Sequence, residues 1–97
     1  MRHEIVLAPQ AIEDLRGLDA RDRATVKEMI ERNLRHEPTR VSRGRIKRLR
    51  GIHRPGFRLR VGDIRVFYDV TDGKVEVLAI VPKERANVWL SNWGETE

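Results

Sequence analysis

The residues of this chain most capable of chemistry are arginines, and most of them crowd into one stretch. Between Arg40 and Arg65 there are ten basic residues and one acid, Asp63, so this stretch carries +9 while the remainder of the +5 chain carries −4. A surface divided in this way typically binds phosphate or acidic protein. A solvated run of charge is the alternative. Because nine of the ten basic residues are arginine, whose planar guanidinium fits phosphate and stacks on bases, we favour nucleic acid.

Composition excludes several other kinds of site. The chain has no cysteine, and its three histidines, His3, His36 and His53, are scattered without ligand spacing. We therefore expect neither a metal nor another cofactor.

No apolar run approaches the roughly 20 residues of a membrane helix, and the first ten residues lack a secretory signal. A single cytoplasmic domain spanning residues 1–97, without membrane association, is expected at this length.

Two helices are predicted near the start of the chain, after a first strand at residues 3–7. Pro9 suits the first turn of a helix that extends to about Leu18, and Asp19 is a plausible N-cap for a second helix. This second helix must end before Pro38. Because the apolar residues recur at helical spacing, both helices need a sheet or partner that covers their apolar stripes.

The second half of the chain has the pattern of a sheet. Alternating or β-branched segments bounded by turn residues predict strands at residues 57–61, 64–70 and 74–81, a short strand is possible at 46–49, and a short helix at 84–90 follows Pro82. The expected class is therefore α+β. It consists of an antiparallel sheet with the N-terminal helical hairpin packed on one face, in the order β-α-α-β-β-β, and a short C-terminal helix.

The turn at Gly62-Asp63 determines how the arginines are arranged. A two-residue loop, of type II′ here, places Arg60 opposite Arg65 in the hairpin. Because side chains alternate across a sheet, the apolar residues of both strands then share the core face. The open face presents Arg58, Arg60, Arg65 and Phe67. Three arginines on one face with little compensating acid indicate a site for an anion.

A second two-residue turn, at Asp72-Gly73, is predicted to be of type I′. The resulting register places Leu78 opposite Phe67 and Ile80 opposite Arg65, both on the open face. This face would then be half apolar and half basic. Such a surface suits an amphipathic partner segment that carries carboxylates.

The segments KRLRG, FRLRVGDIRVFYDV, TDGKVEVLAIV and PKERANVWL together resemble the RelE/ParE toxins of bacterial toxin-antitoxin modules. The resemblance runs through most of the chain and is best from Lys47 to Leu90. It implies the β-α-α-β-β-β fold with a small C-terminal element, and an acidic antitoxin as partner. RelE-like members cut ribosome-bound messenger RNA without metal, whereas ParE-like members poison DNA gyrase.

The resemblance also carries roles to particular residues. Arg58 and Arg60 in FRLR occupy positions like those of two basic residues on the RelE catalytic strand, and Arg65 matches the arginine of the next strand. Lys83 in PKER resembles the basic residue just past the last strand. These four residues form the expected catalytic set. The implied reaction is attack of the RNA 2′-hydroxyl on the adjacent phosphate.

Trp89 marks a departure from the family pattern, because RNA-cleaving members usually have an aromatic residue there that is often tyrosine. Tryptophan cannot exchange a proton, so a tyrosine's role as base would be missing here or have moved. Trp89 is expected to stack a base. Residues expected to bind RNA phosphates are Lys47, Arg48 and Arg50, although an antitoxin's carboxylates would suit this stretch equally well.

Three functions therefore compete. The leading hypothesis is a toxin that cuts messenger RNA on the ribosome, which is favoured by the arginines at positions 58, 60 and 65. The alternatives are a ParE-like inhibitor of gyrase, which needs no proton shuttle, and a degenerate toxin that only binds its antitoxin.

Overall fold

The computed structural model describes residues 2–96, which form three helices and seven strands. In chain order these are β1 (Glu4–Leu7), α1 (Pro9–Arg16), α2 (Ala20–Leu34), β2 (Ile46–Arg48), β3 (Ile52–Arg54), β4 (Phe57–Val61), β5 (Ile64–Thr71), β6 (Lys74–Pro82), α3 (Lys83–Trp93) and β7 (Glu95–Thr96). No helix within residues 2–96 has the length and apolar character needed to span a bilayer.

Five strands form one sheet in the order β1-β6-β5-β4-β2, while β3 and β7 form a separate two-stranded ribbon. The predicted α+β class and the order of its helices and strands are confirmed. The sheet is mixed rather than antiparallel, because β1 runs parallel to β6. A strand of four residues carries no pattern that distinguishes the two directions, since side chains alternate between the faces in both.

The helices begin where their capping residues predict. α1 has Pro9 as its first residue, and the Asp19 side chain accepts a hydrogen bond from the Asp22 amide at 2.8 Å, which caps α2. α1 is shorter than predicted and α3 is longer, extending to Trp93. The helical hairpin covers one face of the sheet, as predicted. Its buried residues, which pack with those of the strands, are Ala11, Val26, Ile30 and Leu34.

The register of the β4–β5 hairpin is as predicted, with Arg60 paired with Arg65. Gly62 has φ +56°, and the turn therefore fits type II′, which requires a positive φ only at its first central residue. The second turn differs from the prediction. Gly73 has φ +70°, but within residues 2–96 no other residue type has a positive φ, whereas type I′ would require one at Asp72.

The predicted pairing of β5 with β6 is correct at Tyr68 and wrong from Phe67 back to Ile64. Tyr68 pairs with Val77 but Phe67 pairs with Ala79, so Leu78 is an extra residue that forms a bulge. Every later side chain of β6 therefore changes face. Ile80 packs in the main core, and the apolar residues on the open face are Ala79 and Val81.

The apolar part of the open face is covered by the C-terminal helix. Phe67, Ala79 and Val81 form a second small core, against which Ala86, Trp89 and Leu90 of α3 and Leu49 pack. After α3, the short strand β7 pairs with β3 and so fastens the end of the chain beside the sheet. The exposed half-apolar face expected from the sequence is therefore closed, and the basic part of this face is what remains accessible.

Candidate nucleic-acid interface

Four basic residues from three adjacent strands lie together on the open face of the sheet. Arg60 pairs with Arg65 across β4 and β5, and Arg58, two residues before Arg60, pairs with Lys47 of β2 on its other side. Directly paired residues point to the same face, and residues two apart on a strand do so as well. The structure therefore brings together three of the four expected catalytic residues and one residue expected to bind RNA.

Arg58 lies at the centre of this group and is partly buried. Its Nε atom is buried, and no atom of residues 2–96 accepts a hydrogen bond from it. Burial lowers the pKa of the Arg58 guanidinium, and the positive charges of Arg65 and Arg60 lower it further. Arginine stays protonated near neutral pH, so the lowered pKa expresses first the cost of burying the Arg58 charge and then the cost of keeping it close to like charges. A bound anion would remove this cost.

Arg65 is anchored to the turn of its own hairpin. Its Nη1 atom donates hydrogen bonds to the carbonyl oxygens of Gly62 at 2.8 Å and Ile64 at 3.1 Å. Arg60, by contrast, is exposed. The two facing arginines are therefore not equivalent, because the carbonyl dipoles partly compensate the charge of Arg65 and hold its guanidinium in place.

Lys83 reaches the same end of the face from the first residue of α3. Its backbone amide donates to the carbonyl of Asp63 at 2.8 Å, and its Nζ lies 3.3 Å from the Asp63 carboxylate. The single acid of the basic stretch thus pairs with Lys83. Because Asp63 belongs to the β4–β5 turn, this contact places Lys83 beside the hairpin that carries Arg60 and Arg65.

Trp89 lies over the neighbouring part of the face. Its ring stacks on Phe67 with centroids 4.9 Å apart and planes 10° apart, and Phe67 is the cross-strand partner of Arg58. The indole N–H is buried and has no acceptor among residues 2–96. Sequence reasoning placed Phe67 on this face but missed the stack, because the position of Trp89 depends on how α3 docks.

Two of the residues expected to bind RNA lie elsewhere. Arg48 pairs with Phe57, a core residue, and its guanidinium lies 5.4 Å above the Phe57 ring, so it points away from the face of Arg58. Arg50 is exposed in the segment between β2 and β3. Of the three basic residues expected to bind RNA, Lys47 is the one that the strand register places on the open face.

The other end of the open face contains a paired arginine that sequence reasoning did not single out. Arg54 Nη2 lies 2.9 Å from Glu76, and its Nε lies 3.4 Å from Asp69. Asp69 also accepts a hydrogen bond from the Gly56 amide at 2.6 Å, and burial raises the pKa of its carboxyl.

Across residues 2–96, no three histidine, aspartate or glutamate side chains are grouped so that they could hold a metal ion.

Comparisons of structure place the chain among solved toxins. It is similar to the RelBE2 toxin-antitoxin complex of Mycobacterium tuberculosis, with 28% identity, a TM-score of 0.69 and coverage of 84% of this chain and 99% of that one. The RelE-RelB complex of Pyrococcus horikoshii has 25% identity, a TM-score of 0.71 and coverage of 88% and 99%. The YoeB dimer of Staphylococcus aureus, at 21% identity, a TM-score of 0.59 and coverage of 84% and 97%, shares the fold.

Comparisons of sequence identify the family. No curated protein matches the sequence significantly. The model of the ParE toxin of the type II toxin-antitoxin system, parDE, matches residues 5–87. Because this match spans most of the chain and includes the strands that carry the basic site, the chain belongs to the ParE toxin family of type II toxin-antitoxin systems, within the RelE/ParE superfamily.

Proposed function

We propose that this toxin arrests translation by cutting messenger RNA on the ribosome, in a reaction that needs no metal. The observation that carries the proposal is the basic group on the open face. Arg58, Arg60 and Arg65 lie together on adjacent strands. None of them forms an ion pair with a carboxylate of residues 2–96. Preorganised positive charge of this kind stabilises the extra negative charge that builds on a phosphate during cleavage.

The reaction assigned to this site is an internal transfer on RNA. The 2′-oxygen attacks the adjacent phosphorus, the bond from phosphorus to the 5′-oxygen breaks, and the products are a 2′,3′-cyclic phosphate and a 5′-hydroxyl. The proton lost by the 2′-hydroxyl is balanced by the one gained at the 5′-oxygen. Positioning and charge stabilisation carry much of such a barrier, so the reaction does not require a strong base.

The residues divide this work according to their chemistry. Arg60 and Arg65 hold the scissile phosphate, because bidentate guanidinium contacts fix a phosphate's orientation. Arg58 adds charge from its partly buried position. Lys83 is the member of the set that can exchange a proton or bind the flanking phosphate, since arginine stays protonated.

Trp89 is proposed to hold an RNA base against the site. One side of its ring already rests on Phe67 at 4.9 Å, so the pair forms an aromatic platform next to Arg58. Stacking tolerates any base and is typically worth about 1–3 kcal/mol. Lys47, beside Arg58, extends the phosphate contacts towards the edge of the sheet.

An acidic antitoxin is the proposed protein partner. The two solved structures at 28% and 25% identity are a toxin-antitoxin complex and a RelE-RelB complex. Because α3 covers the apolar part of the open face, the accessible feature that suits such a partner is the group of unpaired arginines. Carboxylates of the antitoxin would neutralise this group and compete with RNA.

The test uses ribosomes programmed with a defined messenger RNA, to which the purified chain is added, followed by mapping of new 5′ ends. Cleavage with a 5′-hydroxyl end is expected from the wild type and from Arg21→Ser, which removes an equal charge from an exposed position on α2. Arg65→Ser should lower the rate of cleavage by about 10²-fold or more. A parallel supercoiling assay tests the alternative target. Intact transcripts together with inhibited DNA gyrase would overturn the proposal.

A further inference from the structure

The first strand of the chain forms an open edge of the sheet. Among the strands of residues 2–96, β1 pairs on one side only, with β6. The amides of Glu4 and Ala8 donate to Gly73 and Val77, each at 2.8 Å, so the even-numbered residues direct their backbone groups towards β6. The alternation of a strand then directs the N–H and C=O groups of Ile5 and Leu7 outward, away from the sheet.

The two edges of the sheet are protected very differently. Both edge strands are short, but two of the three residues of β2, at the far edge, are basic, and charged side chains, lysine especially, discourage pairing with another strand. β1 has the sequence EIVL, in which the exposed Glu4 is the one charged residue and the other three residues are apolar. An edge of this kind is a template for another strand.

An apolar groove of about 330 Å³ lies beside the outward groups of β1. Ile5 and Leu7 form one wall, and Leu15 and Ile30 of the helices form the other. The rim carries three charged residues of α2, which are Lys27, Glu31 and Arg35. Arg35 forms an ion pair with Glu31 and holds it at the rim. The groove can therefore bury apolar side chains, while its rim carries charges of both signs.

The charged residues of the rim are spaced along α2 at about the same distances as the outward-directed residues along β1. The His3 amide donates to the Arg35 carbonyl at 2.6 Å, and the Arg35 side chain donates back to the His3 carbonyl at 3.0 Å. Eight residues of helix span about 12 Å and four residues of strand about 13 Å. Counted from the contact of His3 with Arg35, Glu31 is about 6 Å along α2 and Ile5 about 7 Å along β1, while Lys27 and Leu7 are about 12 Å and 13 Å along. All four residues line the groove, so Glu31 is level with Ile5 and Lys27 with Leu7 if α2 runs alongside β1.

We infer that the β1 edge binds a second copy of this chain through antiparallel pairing of the two β1 strands about Val6. In this register Ile5 of one copy and Leu7 of the other exchange both backbone hydrogen bonds, and the two-fold axis repeats the exchange. The same register sets Glu31 of one copy across from Lys27 of the other. Two symmetric ion pairs then flank two apolar grooves, so the edge is complementary to itself.

The distribution of charge along the chain allows the β1 edges of two copies to approach each other. The basic stretch from Arg40 to Arg65 carries +9 and lies in the loop and strands towards the other edge, whereas the residues outside it carry −4. A self-complementary edge therefore accounts for the mixed charge at the groove better than an acidic partner segment does. The inference does not depend on the nuclease proposal, because it concerns the free chain and a different edge of the sheet.

Charge exchange tests the pairing directly. Sedimentation equilibrium of the full chain should show a dimer, and Lys27→Glu or Glu31→Lys alone should raise its dissociation constant about tenfold or more, because each places like charges together. An equimolar mixture of the two variants restores both ion pairs and should dimerise like the wild type. Arg21→Glu, with the same charge change at an exposed position of α2, should dimerise like the wild type.

Hydrogen exchange identifies the surface. The Ile5 and Leu7 amides should be protected at concentrations where the chain is dimeric and exchange rapidly on dilution, while the Val6 amide stays protected in both states. A monomer at all concentrations would overturn the inference, as would a dimer that the mixed variants do not restore. Protection of Ile5 and Leu7 only when a co-purified antitoxin is bound would also overturn it, because the edge would then serve another protein.

Discussion

Arginines at the two ends of the open face of the sheet have opposite surroundings. At one end, Arg54 lies between two carboxylates, 2.9 Å from Glu76 and 3.4 Å from Asp69. At the other, Arg58 has a buried Nε without an acceptor among residues 2–96 and two further arginines beside it. Both ends lie on the same face of the sheet and share β5, although Arg54 itself comes from β3. The two ends therefore differ in the partners of their arginines, not in the face that they occupy.

The paired end has the features of a structural contact. Arg54 joins β3 to β5 and β6, and β3 in turn holds β7 at the end of the chain. The other end keeps its charges uncompensated at a cost to the folded state. Such a cost is typical of a site held ready for a ligand. If this comparison is correct, substitutions at the two ends must separate activity from stability.

The largest expected effect is on cleavage at the uncompensated end. Arg65→Ser should lower the rate of RNA cleavage on programmed ribosomes by about 10²-fold or more, because it removes a charge preorganised for the transition state. Arg54→Ser, at the paired end, should retain the wild-type rate at a temperature where it is folded. The measurement is single-turnover cleavage. Equal losses for the two variants would remove the functional distinction between the ends.

The next effect is on stability at the paired end. Arg54→Met should lower the free energy of unfolding by about 1–3 kcal/mol, because it leaves Asp69 and Glu76 facing each other without a cation. Urea denaturation with an unchanged m-value would measure this loss. Adding Asp69→Asn to Arg54→Met should recover part of it by removing one of the two negative charges. An unchanged midpoint for Arg54→Met would show that the contact is incidental.

A smaller effect concerns pH, because burial raises the pKa of Asp69 above its ordinary value. For an acid whose pKa is raised in the folded state, the stabilising contribution is complete below the unfolded pKa, about 3.9, and is lost as the pH rises through the folded value. The wild type should therefore lose stability relative to Asp69→Asn as the pH increases from about 3 to 6. Thermal melting of both proteins across this range measures the difference. Parallel curves would contradict the assignment.

The smallest effect separates the two facing arginines. Arg60→Ser should stabilise the free chain by up to about 1 kcal/mol, because it removes a like charge directly opposite Arg65. Arg65→Ser relieves the same repulsion but loses hydrogen bonds to the Gly62 and Ile64 carbonyls, so it should not gain stability. Added salt should stabilise the wild type more than Arg60→Ser. Melting temperatures at low and high salt test both statements, and destabilisation by Arg60→Ser would exclude the repulsion.

The arginine group could be predicted from the sequence because it depends on a short loop. Gly62-Asp63 sets the β4–β5 register, and alternation along FRLRV then assigns each side chain to a face. The paired end could not be predicted in the same way. Arg54 meets Asp69 and Glu76 only because β3 folds beside the sheet, and no local pattern encodes that contact. The stack of Trp89 on Phe67 likewise depends on the docking of α3.

Local sequence patterns also could not predict the direction of β1 or which side chains of β6 face the core. β1 is apolar except at Glu4, and residues 77–81 of β6 are all apolar, so these sequences suit either direction and either face. The bulge at Leu78 adds one residue that turn chemistry does not reveal. The errors in prediction therefore fall in the most uniformly apolar strands, whereas the strand with alternating arginines was assigned correctly.

The bulge at Leu78 also has an evolutionary consequence. Residues 77–81 read VLAIV, so a one-residue insertion or deletion within them would still leave an apolar side chain on each face of β6. The same change in β4 would turn Arg58 and Arg60 into the core and expose Phe57 and Leu59. Small insertions or deletions are therefore tolerable in the floor beneath α3, whereas in β4 they would invert the face that carries the arginines.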